Sequence, residues 1–142
     1  VAPDADPTRR IALEADAAEV RLRLGDVDGA VAAMESLEAA ERARTGGDNR
    51  TQLDLALRRI DLFVTAARQE EALSAIDAVL PRMAILPADD PLHVDIRAAE
   101  GEAAMRLGHF ERAEKALAEA EARIRRLRGT DSPDLYLVIQ NQ

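Results

Sequence analysis

The sequence predicts an all-α fold in which about three and a half helix hairpins stack side by side as an α-solenoid. Three observations lead to this prediction. Helix-start signals recur every 42 residues, and a turn signal inside each hairpin recurs at nearly the same interval. Alanine, which has the highest helix propensity, is also the commonest residue. Only 2% of the residues are aromatic, so the predicted core consists of small and aliphatic side chains.

Each predicted repeat opens with a residue that favours a helix N-terminus. Asp6, Asp48, Asp90 and Ser132 lie 42 residues apart, and each can accept a hydrogen bond from a free N–H of the first helical turn. The predicted repeats are 6–47, 48–89 and 90–131, with a partial fourth repeat at 132–142, in one domain spanning 1–142. The predicted helices cover 7–24, 27–45, 49–67, 70–86, 91–107 and 110–128, and a seventh begins at 133.

A tight turn separates the two helices of each predicted hairpin. Gly25, Ala67 and Gly108 occupy this turn, where a helix commonly ends on a left-handed residue. Apolar residues recur at helical spacing along both helices of each hairpin, and we expect stacking of neighbouring hairpins to bury them. In the first helices they are Leu13, Val20, Leu24; Leu55, Leu62, Ala66; and Ile96, Ala103, Leu107. In the second helices they are Ala30, Met34, Leu37; Ala72, Ile76, Val79; and Ala113, Leu117, Ala120.

Two features interrupt this regular pattern. Residues 45–48, Thr-Gly-Gly-Asp, read as a flexible linker between the first and second repeats. Pro81 falls inside the second helix of the second repeat, where it removes a hydrogen bond to the carbonyl of Asp77 and clashes with it. We therefore predict a kink or break near Leu80.

The residues around the turns resemble those of a tetratricopeptide repeat (TPR). Gly101, Gly108, Phe110, Ala113 and Ala120 of the third repeat match the small–turn–aromatic–small–small pattern of that family. The 42-residue period, with Gly-Thr-Asp-Ser-Pro-Asp at 129–134, is similar to the kinesin-light-chain type of repeat, which is common in bacterial multidomain signalling proteins. The resemblance implies a right-handed superhelix whose first helices line a concave groove. The Lys and Asn with which some members clamp a peptide carboxylate are missing here, so binding of chaperone tails is disfavoured.

The resemblance also gives candidate residues for the groove. They are Asp16, Glu19 and Arg23 in the first repeat, Asp54, Arg58, Asp61 and Thr65 in the second, and Asp95, Glu102 and Arg106 in the third. One register is acidic in all three repeats: Glu19, Asp61 and Glu102. A row of carboxylates would attract a Lys- or Arg-bearing segment and speed its association. The alternative is a solvated face on which Glu19–Arg23 and Glu102–Arg106 are simple i,i+4 pairs.

The composition disfavours several other classes of function. A net charge of −8 argues against binding to nucleic acid or to an anionic membrane surface. With no cysteine, two isolated histidines and no phosphate-binding glycine loop, the sequence offers no catalytic, metal or cofactor site. We therefore expect a cytoplasmic, non-catalytic protein whose partner is a protein or peptide.

The C-terminal segment suggests a second kind of contact. Leu135, Leu137, Val138 and Ile139 form an apolar run in a predicted helix that lacks its hairpin partner, so we expect further repeats downstream or a homodimer contact through this end. The chain reads as a fragment of a longer bacterial protein. Three functions remain open: a protein-interaction scaffold, a sensory or autoinhibitory domain of a kinase or transcription regulator, and self-assembly through the C-terminal helix.

Overall fold

The computed structural model describes residues 6–128, and the regular structure in this part of the chain is entirely helical. The α-helices are α1 (Pro7–Arg23), α2 (Val27–Thr45), α3 (Arg50–Thr65), α4 (Gln69–Val79), α5 (Leu92–Arg106) and α6 (Phe110–Arg128). A 3-10 helix, Leu80–Ile85, follows α4 directly. The predicted helices are thus confirmed to within a few residues, except that the predicted helix 70–86 is divided at Leu80.

The helices pair into three hairpins that pack in sequence order. Each helix contacts the next, and α3 also contacts both α1 and α5. The first helices of the hairpins, α1, α3 and α5, therefore form one row. The largest hydrophobic cluster is centred on α3, α4 and α5, and a second cluster joins the first hairpin to Leu55 and Leu62 of α3. Every apolar position predicted for the second helices, from Ala30 to Ala120, is buried.

The three predicted turns share one backbone geometry. The φ angle is +88° at Gly25, +61° at Ala67 and +77° at Gly108. In each hairpin the N–H of the following residue donates to the carbonyl five residues earlier: Asp26 to Arg21 at 2.9 Å, Arg68 to Phe63 at 2.8 Å, and His109 to Ala104 at 2.9 Å. This bond, together with the left-handed residue, defines a Schellman ending. The alanine in the second hairpin therefore adopts a conformation that glycine adopts with much less strain.

We predict that Ala67→Gly stabilises the protein by about 0.5–1 kcal/mol, because it relieves the strain of a β-carbon at positive φ. The matched controls are Gly25→Ala and Gly108→Ala, which should each destabilise by about 1 kcal/mol through that strain alone. No atom lies within 4 Å of a β-carbon built at Gly25 or Gly108, so sterics do not complicate the comparison. Urea unfolding of the three variants measures the effect, and a destabilised Ala67→Gly would contradict it.

The predicted N-terminal cap is confirmed at Asp6, whereas the N-cap of α5 is Pro91 and Asp90 lies one residue before it. Asp6 accepts hydrogen bonds from the N–H groups of Thr8 and Arg9, and Asp90 accepts one from the N–H of Leu92 at 3.0 Å. The prediction for Asp48 is wrong, since Asn49 caps α3 by accepting a 2.8 Å bond from the N–H of Gln52.

Asp48 is instead held by two arginines. It pairs with Arg42 at 3.1 Å and with Arg82 at 2.8 Å, and hydrogen bonds from Arg82, then Arg42, lower the pKa of its carboxyl. The side chain of Arg82 comes from a segment 34 residues further along the chain. The ion pairs with Arg42 and Arg82 therefore compete successfully for the carboxylate of Asp48, and Asn49 caps the helix instead.

Pro81 has the predicted effect on the second helix of its hairpin. The α-helical hydrogen bonds end at Val79, and residues 80–85 continue as a 3-10 helix. Met83 in that segment is still buried in the main cluster. The proline therefore changes the type of helix without breaking the packing of this hairpin.

The apolar face predicted for α1 is the main error of the sequence analysis. Leu13, Val20 and Leu24 are 61%, 51% and 80% exposed, whereas Ala15 and Ala18 are the buried residues of this helix. The counterparts of Leu13 and Val20 in α3, Leu55 and Leu62, are buried against the first hairpin. In α3 this apolar face thus makes the contact with the preceding hairpin, and no hairpin precedes α1 in the described residues.

Two further observations concern the limits of the described chain. Among residues 6–128, no helix has both the length and the apolarity that crossing a membrane requires. The predicted self-association residues Leu135, Leu137, Val138 and Ile139 lie outside the described residues, as does the start of the partial fourth repeat at Ser132.

Candidate functional site

A pocket of about 390 Å³ opens between α1 and α3. Five of the predicted groove residues line it: Glu19, Arg23, Arg58, Asp61 and Thr65. The rest of its wall is largely apolar and consists of Leu22, Val27, Leu62 and Ala66. The structure therefore brings together residues that are up to 46 positions apart in the sequence, from Glu19 to Thr65. We call the surface that carries Asp16, Glu19, Asp54, Asp61, Asp95 and Glu102 the acidic groove.

Arg58 is the cation at the centre of the part of the acidic groove that the first two hairpins form. Its guanidinium lies 3.6 Å from Asp16, 3.8 Å from Glu19 and 3.4 Å from Asp54. Glu19 therefore faces Arg58 on α3, and within residues 6–128 it forms no ion pair with Arg23 on its own helix. Because these side chains are partly open to solvent, each contact contributes little stability. Their main effect is to fix Arg58 among three carboxylates.

Asp61 has no such counter-charge. Among residues 6–128, no arginine, lysine or histidine lies within ion-pair distance of its carboxylate. The side chain is exposed at the mouth of the groove, but protein surrounds it closely enough to displace much of its hydration. This desolvation, followed by repulsion from Asp95, Glu102, Glu19 and Asp54, raises the pKa of Asp61 to about 6.

Other enclosed carboxylates in the structure show what a counter-charge does. The pKa of Asp90 is lowered, first by a hydrogen bond from Arg50 at 2.9 Å. Glu41, buried on α2, has its pKa lowered first by the hydrogen bond from Arg44. In both cases an arginine outweighs the cost of burial. At Glu38 desolvation outweighs the pairing with Arg59 and raises the pKa, and at Asp61 the neighbouring carboxylates add to the effect of desolvation.

The third repeat contributes the far side of the acidic groove. Glu102 and Arg106 of α5 form the predicted i,i+4 pair at 2.7 Å. Arg106 also donates to the carbonyl of Val64 on α3 at 3.4 Å. Asp95 lies near enough to Asp61 to be the strongest of the charges that raise its pKa. Glu19 and Glu102 of the predicted acidic register therefore lie near enough to Asp61 to raise its pKa.

Two features of this site were missed in the sequence analysis. The first is the bridging role of Arg58, which depends on the approach of α1 to α3. The second is the apolar wall of the pocket, to which Val27, Leu62 and Ala66 contribute. Leu62 was identified as a core residue, but its position directly after Asp61 in the sequence did not indicate that it would also line a pocket. No three His, Asp or Glu side chains converge as metal ligands within residues 6–128.

The raised pKa of Asp61 predicts that Asp61→Asn stabilises the protein at neutral pH. Ionising the carboxyl costs more in the folded state, where its pKa is about 6, than in the unfolded chain, where it is near 3.8. The penalty is therefore fully present above pH 6 and disappears below about pH 3.8. Because solvent screens this exposed group, we expect a gain of about 1 kcal/mol, well below the ~3 kcal/mol that the whole shift would give.

Thermal or urea unfolding of the parent and Asp61→Asn from pH 4 to 8 measures this gain. Asp89→Asn, which removes an exposed loop carboxylate, is the matched control and should show little pH-dependent gain. An equal gain at pH 4 and pH 8 would show that the effect of Asp61→Asn has another cause.

Comparisons of this chain with models of protein families, with curated proteins and with solved structures give no match. The geometry of the acidic groove is therefore the basis for the proposal that follows.

Proposed function

We propose that this chain is a non-catalytic protein-interaction module that binds a cationic segment of a protein partner in the acidic groove. In this proposal the chain is a TPR-like unit, a right-handed superhelix of about three and a half repeats whose first helices line the binding surface. The observation that carries the proposal is Asp61, a carboxylate that no cation of residues 6–128 reaches at ion-pair distance, near four other carboxylates at the edge of a partly apolar pocket.

The pocket suits a lysine or arginine side chain. Both combine an apolar stem with a cationic head, and the stem can pack on apolar surface while the head stays near charge. Here the apolar surface is provided by Leu22, Leu62 and Ala66, and the negative charge by Glu19 and Asp61. Arg23 and Arg58 line the same pocket, and Arg58 is paired with Glu19 at 3.8 Å. A volume of about 390 Å³ is sufficient for one such side chain and part of its neighbours.

The existing ion pairs favour a cationic ligand over an anionic one. Arg58 already faces Asp16, Glu19 and Asp54, so its own charge is compensated. An anionic segment would meet Asp61, Asp95 and Glu102 and would be repelled. A cationic segment would instead supply the counter-charge that Asp61 lacks, and it would associate faster at low ionic strength.

This mode of binding is linked to pH. A bound cation favours the ionised carboxylate, so binding displaces the proton from Asp61 wherever that proton is present. The affinity should therefore be constant above about pH 7, and it should fall as the pH drops through about 6, the pKa of the free carboxyl.

The test is a fluorescence-anisotropy titration of the chain with a short labelled peptide of alternating lysine and alanine. A peptide in which glutamate replaces lysine is the control. We expect the lysine peptide to bind, binding to weaken with added salt and below pH 6, and the glutamate peptide not to bind. Failure of the lysine peptide to bind at low salt and pH 7.5, or equal binding of both peptides, would refute the proposal.

A further inference from the structure

The outward face of α1 is built like an internal contact of the stack. Leu55 and Leu62 of α3 are 1% and 3% exposed because they pack in one cluster with Met34 and Leu37 of the preceding helix, α2. Leu13 and Val20 occupy the same positions one 42-residue period earlier, and they are 61% and 51% exposed. The face of α1 therefore has the apolar side chains of a helix contact, and nothing within residues 6–128 covers it.

The surroundings of this face indicate the charge of its occupant. Leu13, Ala17, Val20 and Leu24 follow one another at helical spacing and are all exposed. Arg9, Arg10 and Arg21 are exposed beside this stripe on a chain whose net charge is −8; Arg10 pairs with Glu14 at 2.8 Å and Arg21 donates to the carbonyl of Gly29. Among the described residues Arg9 forms no ion pair. The occupant should therefore be an apolar segment accompanied by carboxylates.

The chain contains such a segment outside the described residues. Residues 135–139 are Leu-Tyr-Leu-Val-Ile, and Asp131 and Asp134 precede them. The segment thus matches the outward face of α1 in apolar character and in charge.

The arrangement of the hairpins favours contact between two copies. The helix α1 packs on α2 and α3, whereas α6, which leads into the segment, packs on α5. Helices α2 to α5 therefore lie between α1 and α6, the helix to which residues 135–139 are joined. We propose that residues 135–139 of one copy pack on the Leu13–Val20–Leu24 face of a second copy. Reciprocal contacts would close a dimer, and one-way contacts would extend a chain.

This proposal is independent of the acidic groove, and sedimentation velocity tests it. The parent chain should gain mass with concentration. Val20→Glu places a charge in the Leu13–Val20–Leu24 face, and Leu137→Glu places a charge in residues 135–139. Each substitution alone should therefore weaken association at least about tenfold. A mixture of the two variants should form a one-to-one complex, because Val20→Glu keeps residues 135–139 intact and Leu137→Glu keeps the Leu13–Val20–Leu24 face intact.

The matched control is Ala12→Glu, an exposed position of α1 outside the stripe, which should associate like the parent. Melting curves establish that each variant is folded, and Leu13→Glu provides a second variant of the receiving face. A parent that stays monomeric at every concentration overturns the proposal. So does a Leu137→Glu variant that associates like the parent, or a mixture of folded variants that stays monomeric.

Discussion

Ala113→Glu should unfold the third hairpin and destabilise the protein by about 3–5 kcal/mol. Ala113 is 1% exposed and packs in the main hydrophobic cluster with residues of α4 and α5. A glutamate there would place an unpaired charge in a space that fits only a methyl group. Denaturant unfolding measures the loss, and hydrogen exchange should show it first in the amides of α5 and α6.

The same substitution at Ala118 is the matched control for this prediction. Ala118 lies on the same helix but is exposed, so Ala118→Glu should change stability by no more than about 0.5 kcal/mol. An Ala113→Glu variant that melts like the parent would show that α6 presents a different face to the rest of the fold. The assignment of the repeats would then be wrong as well.

Reversing the three carboxylates of the acidic register should abolish most of the proposed binding. In the triple variant Glu19→Lys, Asp61→Lys, Glu102→Lys, a cationic segment meets three cations in place of three anions. If each contact contributes about 1 kcal/mol, the affinity for the lysine peptide should fall by about 100-fold or more. Isothermal titration at low salt and pH 7.5 measures the loss, and circular dichroism confirms that the variant is folded.

A second triple variant separates the groove from the overall charge. Glu35, Glu70 and Glu111 are exposed and do not belong to the acidic groove. Their replacement by lysine changes the net charge from −8 to −2, as the groove variant does, because each substitution adds two positive charges. This control should bind nearly as well as the parent. Equal losses in both variants would mean that only the net charge matters.

The local architecture could be predicted from the sequence because short-range chemistry determines it. The left-handed turns at Gly25, Ala67 and Gly108, the cap at Asp6 and the hydrogen bond from the N–H of Leu92 to Asp90 depend on residues within one or two turns. The end of α4 depends on Pro81 and its missing N–H in the same way. Buried positions of the second helices were also predicted, because each of those helices packs on the first helix of its own hairpin.

The errors arose where the outcome depends on a distant part of the chain. Periodicity shows that Leu13 and Val20 share a face, but it does not show whether another helix covers that face. At Asp48 the local preference for a cap competed with Arg82, which sequence distance conceals. In the acidic groove, the sequence placed the carboxylates in one register, but the position of Arg58 among three of them required the approach of α1 to α3.

The pKa of Asp61, measured by NMR on carboxyl-labelled protein, tests the central claim most directly. The claim is that Asp61 lies without a counter-charge among other carboxylates, and it predicts a pKa of about 6. Glu102→Gln should lower this value because it removes one of the repelling charges. A pKa at or below 3.8, or no response to Glu102→Gln, would contradict the account, since Asp61 would then have a cation or full hydration beside it.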